Sequence, residues 1–308
     1  MPNYINRYLM LNIWPENSLE AISFGVDWKI TFRIKKCASS DFLSFNMAEI
    51  SVYNMSSELR EKLSSKNLLI ELNAGYDSMH NVVFSGRVNN VTTVKQTTEL
   101  ITTFYCVSDT RSYTDLVNIC VQNVSVTDLI AQLCDKHGVS YRLPFKRTDV
   151  VKKSYTGPFS KVIALICHEY GISCAMDNGQ LLFRDRKATE ETLDNAIIKV
   201  YTPNSGMIGN PTVTEVGVRF KALLQSDLKI NDYFRLYAPY ADYNLNSLDT
   251  RPNAVVGNEL NAMAHIDTRT YNGAYMVLNL TMNGDTRGNA WYTDVEGSRI
   301  WPKQYNAR

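Results

Sequence analysis

Alternation of apolar and polar residues with a period of two is the feature that most constrains how this chain folds. Within Trp28–Lys36, the residues Ile30, Phe32 and Ile34 lie two positions apart and share one face of a predicted strand. The same alternation predicts strands at Ala48–Tyr53, Leu68–Ala74, Val82–Val88 and Leu100–Val107, and Ser56 begins a short capped helix that ends at Leu63. Short strands separated by polar turns are typical of a barrel or a sandwich.

The middle of the chain changes to a helical period. Ser125 and Asp128 resemble a capping box, and Gly138 follows the apolar helical positions where a helix is expected to end. The segments Ile130–Ser140 and Ile163–Ser173 share their Ile-Ala, Cys, Gly and Ser residues at the same spacing. Each copy predicts a helix followed by a strand. The second copy continues through an Asn178-Gly179 hairpin to a returning strand at Leu181–Arg184.

Strand patterns return after this repeat. They predict strands at Ile197–Tyr201, Thr212–Leu224, Tyr233–Tyr237 and Tyr275–Met282, and a last strand that starts near Ala290–Val295 after an Asn283-Gly284 turn. The polar segment Pro239–Thr270 predicts a long loop, of a length that usually has a function or is ordered by a partner. The sequence therefore predicts a mainly β protein: a first β-barrel at 1–109, a small α/β insert at 110–190 and a second β-barrel at 191–308.

Composition excludes several classes of protein. The 308 residues include 32 Lys+Arg and 31 Asp+Glu, a net charge of +1, which gives no electrostatic signature of a dedicated nucleic-acid binder. The longest apolar run, Val162–Cys167, is far shorter than a membrane helix, and nothing at the N-terminus resembles a signal peptide. We therefore expect no stable membrane association. Six cysteines are too few for a disulfide scaffold, so we expect free thiols.

The sequence contains no recognisable catalytic motif. The best candidate for a metal site is the group Cys134, His137, Cys167 and His168, whose side chains are of the types that bind zinc. However, Cys134 and Cys167 occupy equivalent, apolar positions of the repeat, and free cysteine is among the most buried residue types. This favours packing over metal binding, and we expect neither a metal nor another cofactor.

The segment Gly284–Tyr292 contains carboxylates that could suggest an acid–base site. Asp285, Asp294 and Glu296 lie close in sequence, but no spacing holds two of the carboxyl groups at a defined separation. A glycine-bracketed turn in which Arg287 pairs with Asp285 is the favoured interpretation.

Three segments together resemble one family, the baseplate hub or tail hub proteins of tailed bacteriophages. The first is the N-terminal pattern with its strand-to-helix step at Asn54, a strand ending in Gly75-Tyr76 and a following strand around Gly86. The other two comprise Gly209, Pro211 and Gly217, and then Gly284, Asp285, Gly288, Trp291 and Tyr292. The resemblance covers roughly residues 25–300.

The resemblance implies a structural virion protein with no enzymatic activity. Such a hub is a homotrimer whose two tube-like barrels per chain form a pseudo-sixfold ring, which joins the tail tube to the threefold central spike and lines the channel for genome ejection. The implied partners are the tail tube or tube-initiator protein, the central spike protein, other baseplate proteins, and the tape-measure protein and DNA in transit. The implied location is the phage tail baseplate, after assembly in the host cytoplasm.

Two other functions remain open from the residues alone. A metal-dependent hydrolase would use the Cys/His group of the α/β insert and would lose zinc on Cys134→Ser. A receptor- or carbohydrate-binding tail module would use the Pro239–Thr270 loop to bind glycans of the host surface.

Overall fold

The computed structural model describes residues 6–16, 18, 20–38, 46–64, 67–108, 114–186, 199–214, 217–243 and 271–300. It is mainly β, with a few helices, as the sequence predicts. The N-terminal elements are β1 (Arg7–Pro15), β2 (Ile22–Gly25), β3 (Ile30–Cys37), β4 (Met47–Tyr53), α1 (Ser57–Lys62), β5 (Leu68–Tyr76), β6 (Met79–Gln96) and β7 (Glu99–Val107).

The remaining elements follow in two groups. The first group is β8 (Leu116–Ser125), α2 (Val126–Lys136), β9 (Ser140–Arg142), β10 (Val150–Pro158), α3 (Phe159–Tyr170), β11 (Ile172–Asp177) and β12 (Gln180–Asp185). The second is β13 (Lys199–Tyr201), β14 (Met207–Val213), β15 (Gly217–Leu223), β16 (Tyr233–Leu236), β17 (Asp242–Tyr243), β18 (Gly273–Asp285) and β19 (Trp291–Arg299).

The predicted N-terminal strands and their helix are confirmed. Ile30, Phe32 and Ile34 are buried, while Arg33 between them is exposed, as the alternation requires. The Ser56 hydroxyl accepts the backbone N–H of Leu59 at the start of α1. The strands β1 and β2 were not predicted, although Leu9, Leu11 and Ile13 of β1 alternate in the same way.

One sheet connects the N-terminal and C-terminal strands. Its 14 strands run in the order β17-β14-β15-β19-β18-β3-β4-β7-β6-β5-β1-β2, with β16 also paired to β18 and β13 paired to β16. The two parts meet where β18 pairs with β3, from Asn279 opposite Cys37 to Asp285 opposite Thr31. A single hydrophobic cluster contains residues from both parts, so the two parts share one core.

The middle segment has a second hydrophobic core of its own. Its repeat is larger than the sequence predicted, because a strand precedes each helix. The two copies are β8-α2-β9 and β10-α3-β11, and β8 pairs antiparallel with β10. The strands β9 and β11 flank β12 in a three-stranded sheet. The boundaries predicted at 109/110 and 190/191 fall outside the described residues and stay a prediction.

The predicted helix ends and the hairpin of the insert are confirmed. The Ser125 hydroxyl accepts the N–H of Asp128 at 3.1 Å, and that hydroxyl also donates to the Asp128 carboxylate at 2.7 Å. Asn178 and Gly179 have φ values of +47° and +79°, as the two central residues of a type I′ turn require.

One strand prediction and one turn prediction near the C-terminus are wrong, whereas the last strand starts at Trp291 as predicted. Thr212–Leu224 is not one strand, because β14 ends at Val213, β15 begins at Gly217, and the two strands pair antiparallel. Asn283 and Gly284 lie inside β18, and the chain turns later, between Asp285 and Ala290. Asparagine-glycine is a frequent turn pair, but here the close packing of Gly284 against Phe32 accounts for the glycine within a strand.

Of the predicted loop Pro239–Thr270, residues 244–270 lie outside the described residues, and so do residues 197 and 198 of the strand predicted at Ile197–Tyr201. Among the described residues, no helix has the length and apolar character needed to cross a membrane.

Candidate functional site

Seven of the twelve residues of the family pattern meet where the β18–β19 hairpin packs against β1 and β5. We call this contact the seam and define it by Arg7, Gly75, Tyr76 and residues 284–292. The indole Nε1–H of Trp291, which is buried, donates to the Gly75 carbonyl at 3.1 Å. This bond links the C-terminal hairpin to the N-terminal strands across more than 200 residues of sequence.

Arg7 ties the same hairpin to β1. Its guanidinium donates to the carbonyl of Asp285 at 2.7 Å and to the carbonyl of Gly288 at 2.5 Å. The guanidinium carbon also lies 5.3 Å from the centre of the Trp291 ring, within the range of a cation–π contact. Sequence analysis missed Arg7, because its partners are backbone carbonyls that only the tertiary structure brings near.

Glycines allow the close approach of chain segments at the seam. A Cβ on Gly284 would lie 2.1 Å from a ring carbon of Phe32, and the Phe32 and Trp291 rings meet edge to face at 5.6 Å. A Cβ on Gly288 would lie 2.3 Å from the Asp285 carboxylate. The position of each glycine is therefore fixed by a neighbour that leaves no room for a side chain.

Arg287 does pair with Asp285, but through its backbone N–H and not through its guanidinium. The backbone N–H of Arg287 donates to Asp285 Oδ1 at 2.8 Å, and the Arg287 guanidinium donates to the Asp27 carbonyl. The turn itself is confirmed.

A small cavity of about 350 Å³ opens at the seam between Arg7, Tyr76, Trp291 and Tyr292. Seven residues of the family pattern therefore lie together at the seam: Gly75, Tyr76, Gly284, Asp285, Gly288, Trp291 and Tyr292.

The other five residues of the family pattern lie elsewhere. Asn54 has a φ of +58° and its side-chain oxygen accepts the Leu100 N–H at 2.9 Å, which closes the end of the β4–β7 pair. A Cβ on Gly86 would lie 2.2 Å from the Val107 carbonyl oxygen, and one on Gly217 would lie 2.1 Å from the Gly297 carbonyl oxygen. Gly209 and Pro211 lie in β14.

A second polar contact, which we call the insert junction, attaches the β11–β12 hairpin to the main sheet. The Lys36 ammonium of β3 and the Asp177 carboxylate of β11 form an ion pair in which both side chains are almost fully buried, with exposures of 3% and 2%. The Asn46 side chain donates to the Met176 carbonyl at 2.7 Å, and the Asn178 side chain donates to the Val82 carbonyl at 2.7 Å.

The other end of the same hairpin bonds to the segment before β16. Ser173 donates to the Asn231 side chain at 2.8 Å, and Arg184 donates to the Asn231 carbonyl at 2.8 Å and to Asp232 at 3.2 Å. Burial lowers the pKa of Arg184 and raises the pKa of Asp232, although each lies beside the other's charge. The one sequence signal for the junction is Lys36, because alternation along β3 places it on the same, apolar face as Ile30, Phe32 and Ile34.

The candidate metal ligands do not converge on one site. Cys134 and Cys167 are buried in the insert core, and burial raises the pKa of the Cys134 thiol to about 12. His168 is exposed on α3, and the Nδ1 of His137 lies 3.5 Å from the Asp115 carboxylate. Within the described residues no cluster of three or more His, Cys, Asp or Glu side chains could hold a metal ion.

The geometry of the seam and of the insert junction is that of mechanical attachment. Hydrogen bonds to backbone carbonyls, a buried ion pair and packed rings hold three parts of the chain together. Such contacts fix the relative positions of strands.

The fold is that of phage tail proteins. A 43 kDa tail protein of prophage MuSo2 from Shewanella oneidensis superposes with a TM-score of 0.55 at 7% identity, covering 94% of this chain and 96% of that one. A tail protein from Neisseria meningitidis gives 0.55 at 7% identity, covering 96% and 98%. A component of the Escherichia coli type VI secretion system, described as similar to the T4 bacteriophage tail proteins gp27 and gp5, gives 0.51 at 11% identity, covering 96% and 78%.

The family assignment comes from the sequence. A family model described as "Baseplate hub gp41" matches residues 23–240, more than two thirds of the 308 residues. The chain belongs to this family of phage baseplate hub proteins. No curated protein sequence matches the chain at a significant level.

Proposed function

We propose that this chain is the trimeric hub at the tip of the tail tube, a structural component of the virion without enzymatic activity. The observation that carries the proposal is the continuous sheet, in which β3 and β18 join the N-terminal and C-terminal strands in a fixed register. Two β-rich parts held in this way by each chain would supply six similar units in a ring of three chains. A closed ring of three identical chains needs heterologous contacts, in which one surface of a chain binds a different surface of the next chain.

The proposed ring explains why a threefold molecule could connect two different symmetries. Six similar units on one side would match the sixfold tail tube, and three chains would match the threefold central spike on the other side. Genome ejection would take place through the channel of the ring, after passage of the tape-measure protein. The proposed location is the baseplate of the phage tail, with assembly in the host cytoplasm.

The test is the solution mass of the purified chain by light scattering, with electron microscopy and zinc analysis on the same sample. Three chains of 35.0 kDa give about 105 kDa, and we expect that mass, six-lobed rings and no zinc. A species of 35.0 kDa at all concentrations would contradict a trimer that forms without its neighbours. A monomer with one zinc per chain would instead support the hydrolase.

A further inference from the structure

Among the described residues, the strand β6 has a long edge that pairs with no other strand. It is 18 residues long, but its pairing with β5 ends where Arg87 meets Leu69. From Val88 to Gln96 it pairs with β7 on one side, and no strand among the described residues pairs with its other side. An unpaired edge of this length exposes a row of backbone N–H and C=O groups that can accept a further strand.

A polar groove follows this edge, and we call it the edge groove. Its volume is about 590 Å³, and its walls are Val88–Val91 on the strand side and Arg60, Leu63 and Asn67 on the side of α1. The Arg60 guanidinium makes one long bond, at 3.4 Å, from its Nε to the Ser56 carbonyl, and it has no ion pair among the described residues. The described lining of the edge groove contains no carboxylate, so a partner would complement it by supplying one.

Three strands of the 14-stranded sheet, its end strands, pair with one described strand only: β2 with β1, β17 with β14 and β13 with β16; carboxylates of the required kind lie beside β2 and β17. Glu20 precedes β2 and Asp242 begins β17; both side chains are exposed and neither forms an ion pair with a described residue. A second copy of the chain therefore has both an end strand that can pair with β6 and a carboxylate that can pair with the Arg60 guanidinium.

We infer that the edge groove of one copy receives an end strand of the sheet of a second copy, whose carboxylate pairs with Arg60. The added strand would extend the sheet across the boundary between copies by backbone hydrogen bonds. The pairing is heterologous, because a groove in the middle of one sheet meets an end of another, so it can close a ring of three. This inference rests on the proposed function, since it assigns the contact between copies in the trimer.

The first test is the charge variant Arg60→Glu in the full chain, with Lys62→Glu as its matched control. Lys62 lies on the same helix but pairs with Glu58 and does not line the edge groove. We expect Arg60→Glu to weaken self-association about tenfold, measured by sedimentation velocity, and Lys62→Glu to leave it unchanged. A second change, Glu20→Arg or Asp242→Arg, should restore the association of Arg60→Glu and so identify the end strand.

A cross-linking test does not depend on charge. In a Cys120→Ser background, which removes the exposed thiol, Thr93→Cys on β6 is combined with Ser23→Cys on β2 or with Asp242→Cys on β17. One of these pairs should form disulfide-linked trimers on mild oxidation, whereas Thr93→Cys with Asn118→Cys on the insert should not.

The outcomes separate this inference from the proposed function. A wild-type trimer that Arg60→Glu leaves intact, with neither cysteine pair cross-linking, would overturn the inference and leave the trimer in place. A wild-type chain that stays at 35.0 kDa at all concentrations would contradict a trimer that forms without its neighbours, and with it the contact between copies inferred here.

Discussion

Gly284 determines how closely the C-terminal hairpin can approach the N-terminal strands. Its missing side chain leaves the space that the Phe32 ring fills, and that ring in turn packs edge to face on Trp291. Because Phe32 is itself buried in the shared core, the ring cannot swing into water to make room.

Substitution of Gly284 by alanine should therefore destabilise the fold. The added methyl group overpacks the seam, and we expect a loss of about 1–3 kcal/mol in the free energy of unfolding, measured by urea denaturation. Gly25→Ala is the control, since a Cβ there meets nothing within 4 Å, and it should change stability by no more than about 0.5 kcal/mol. Equal effects of the two substitutions would show that Gly284 is not fixed by packing.

Asp294 on β19 provides a test of pH dependence. Burial raises the pKa of its carboxyl group above the ordinary value of 3.8, although Lys221 lies 4.0 Å away and opposes the shift. A carboxyl with a raised pKa binds its proton more tightly in the folded state than in the unfolded state. Its contribution to stability is therefore full below pH 3.8 and is lost as the pH rises through the raised value.

The expected result concerns the wild-type chain relative to Asp294→Asn, which cannot ionise. The free energy of unfolding of the wild type, minus that of the variant, should fall as the pH rises from about 3.5 to about 6.5. Urea denaturation at both pH values measures this difference. A difference that rises with pH would mean that the neighbouring cations, and not burial, determine the direction in which the pKa of the Asp294 carboxyl group is shifted.

At the residue scale, contacts between residues close in sequence were predicted well, and contacts between distant residues were not. The caps at Ser56 and Ser125 and the Asn178-Gly179 turn depend on groups within a few residues of each other, so the sequence is enough. The bonds of Arg7 to the hairpin join positions 278 and 281 residues apart, and no local pattern indicates them.

At the scale of elements, the β11–β12 hairpin holds the insert on the main sheet through buried charges. Lys36 and Asp177 form a buried pair, and the partly exposed Lys229 ammonium lies 3.7 Å from the same carboxylate. The hydration free energy that the two charges lose on burial offsets much of their mutual attraction. We therefore expect the pair to specify the position of the hairpin more than it stabilises the fold.

A double-mutant cycle tests this role. Asp177→Leu alone leaves the Lys36 ammonium buried without its partner, and we expect a loss of about 3–5 kcal/mol in unfolding free energy. Adding Lys36→Met removes the stranded charge and should recover part of that loss, giving a coupling of about 1–3 kcal/mol by urea denaturation. Strictly additive effects would contradict a direct pair.

Element prediction succeeded where one face of a strand is buried and failed where tertiary contacts set the strand's end. The alternation at Ile30–Ile34 is visible because Arg33 faces water. In contrast, the alternation of Thr212–Leu224 predicts one strand, and the division into β14 and β15 becomes apparent only from their antiparallel pairing.

At the scale of the whole molecule, the shared sheet predicts that the N-terminal and C-terminal strands unfold together. Hydrogen exchange measured by mass spectrometry over a series of low denaturant concentrations should give the amides of β4 and β19 the same opening free energy. The insert has a separate core, so the amides of α3 should give a different value. Loss of protection in β19 before β4 would show that the two parts are independent units.

The sequence by itself determined the β-rich character, the helix caps, the repeat in the insert and the resemblance to the phage baseplate hub family. These depend on local periodicity and on short motifs, which are fully present in the order of residues. Only the tertiary structure decided that β3 pairs with β18, that seven residues of the family pattern meet at the seam, and that Lys36 and Asp177 form a buried pair. Contacts between residues more than a hundred positions apart depend on which strands become neighbours, and that choice is made by the packing of the whole core.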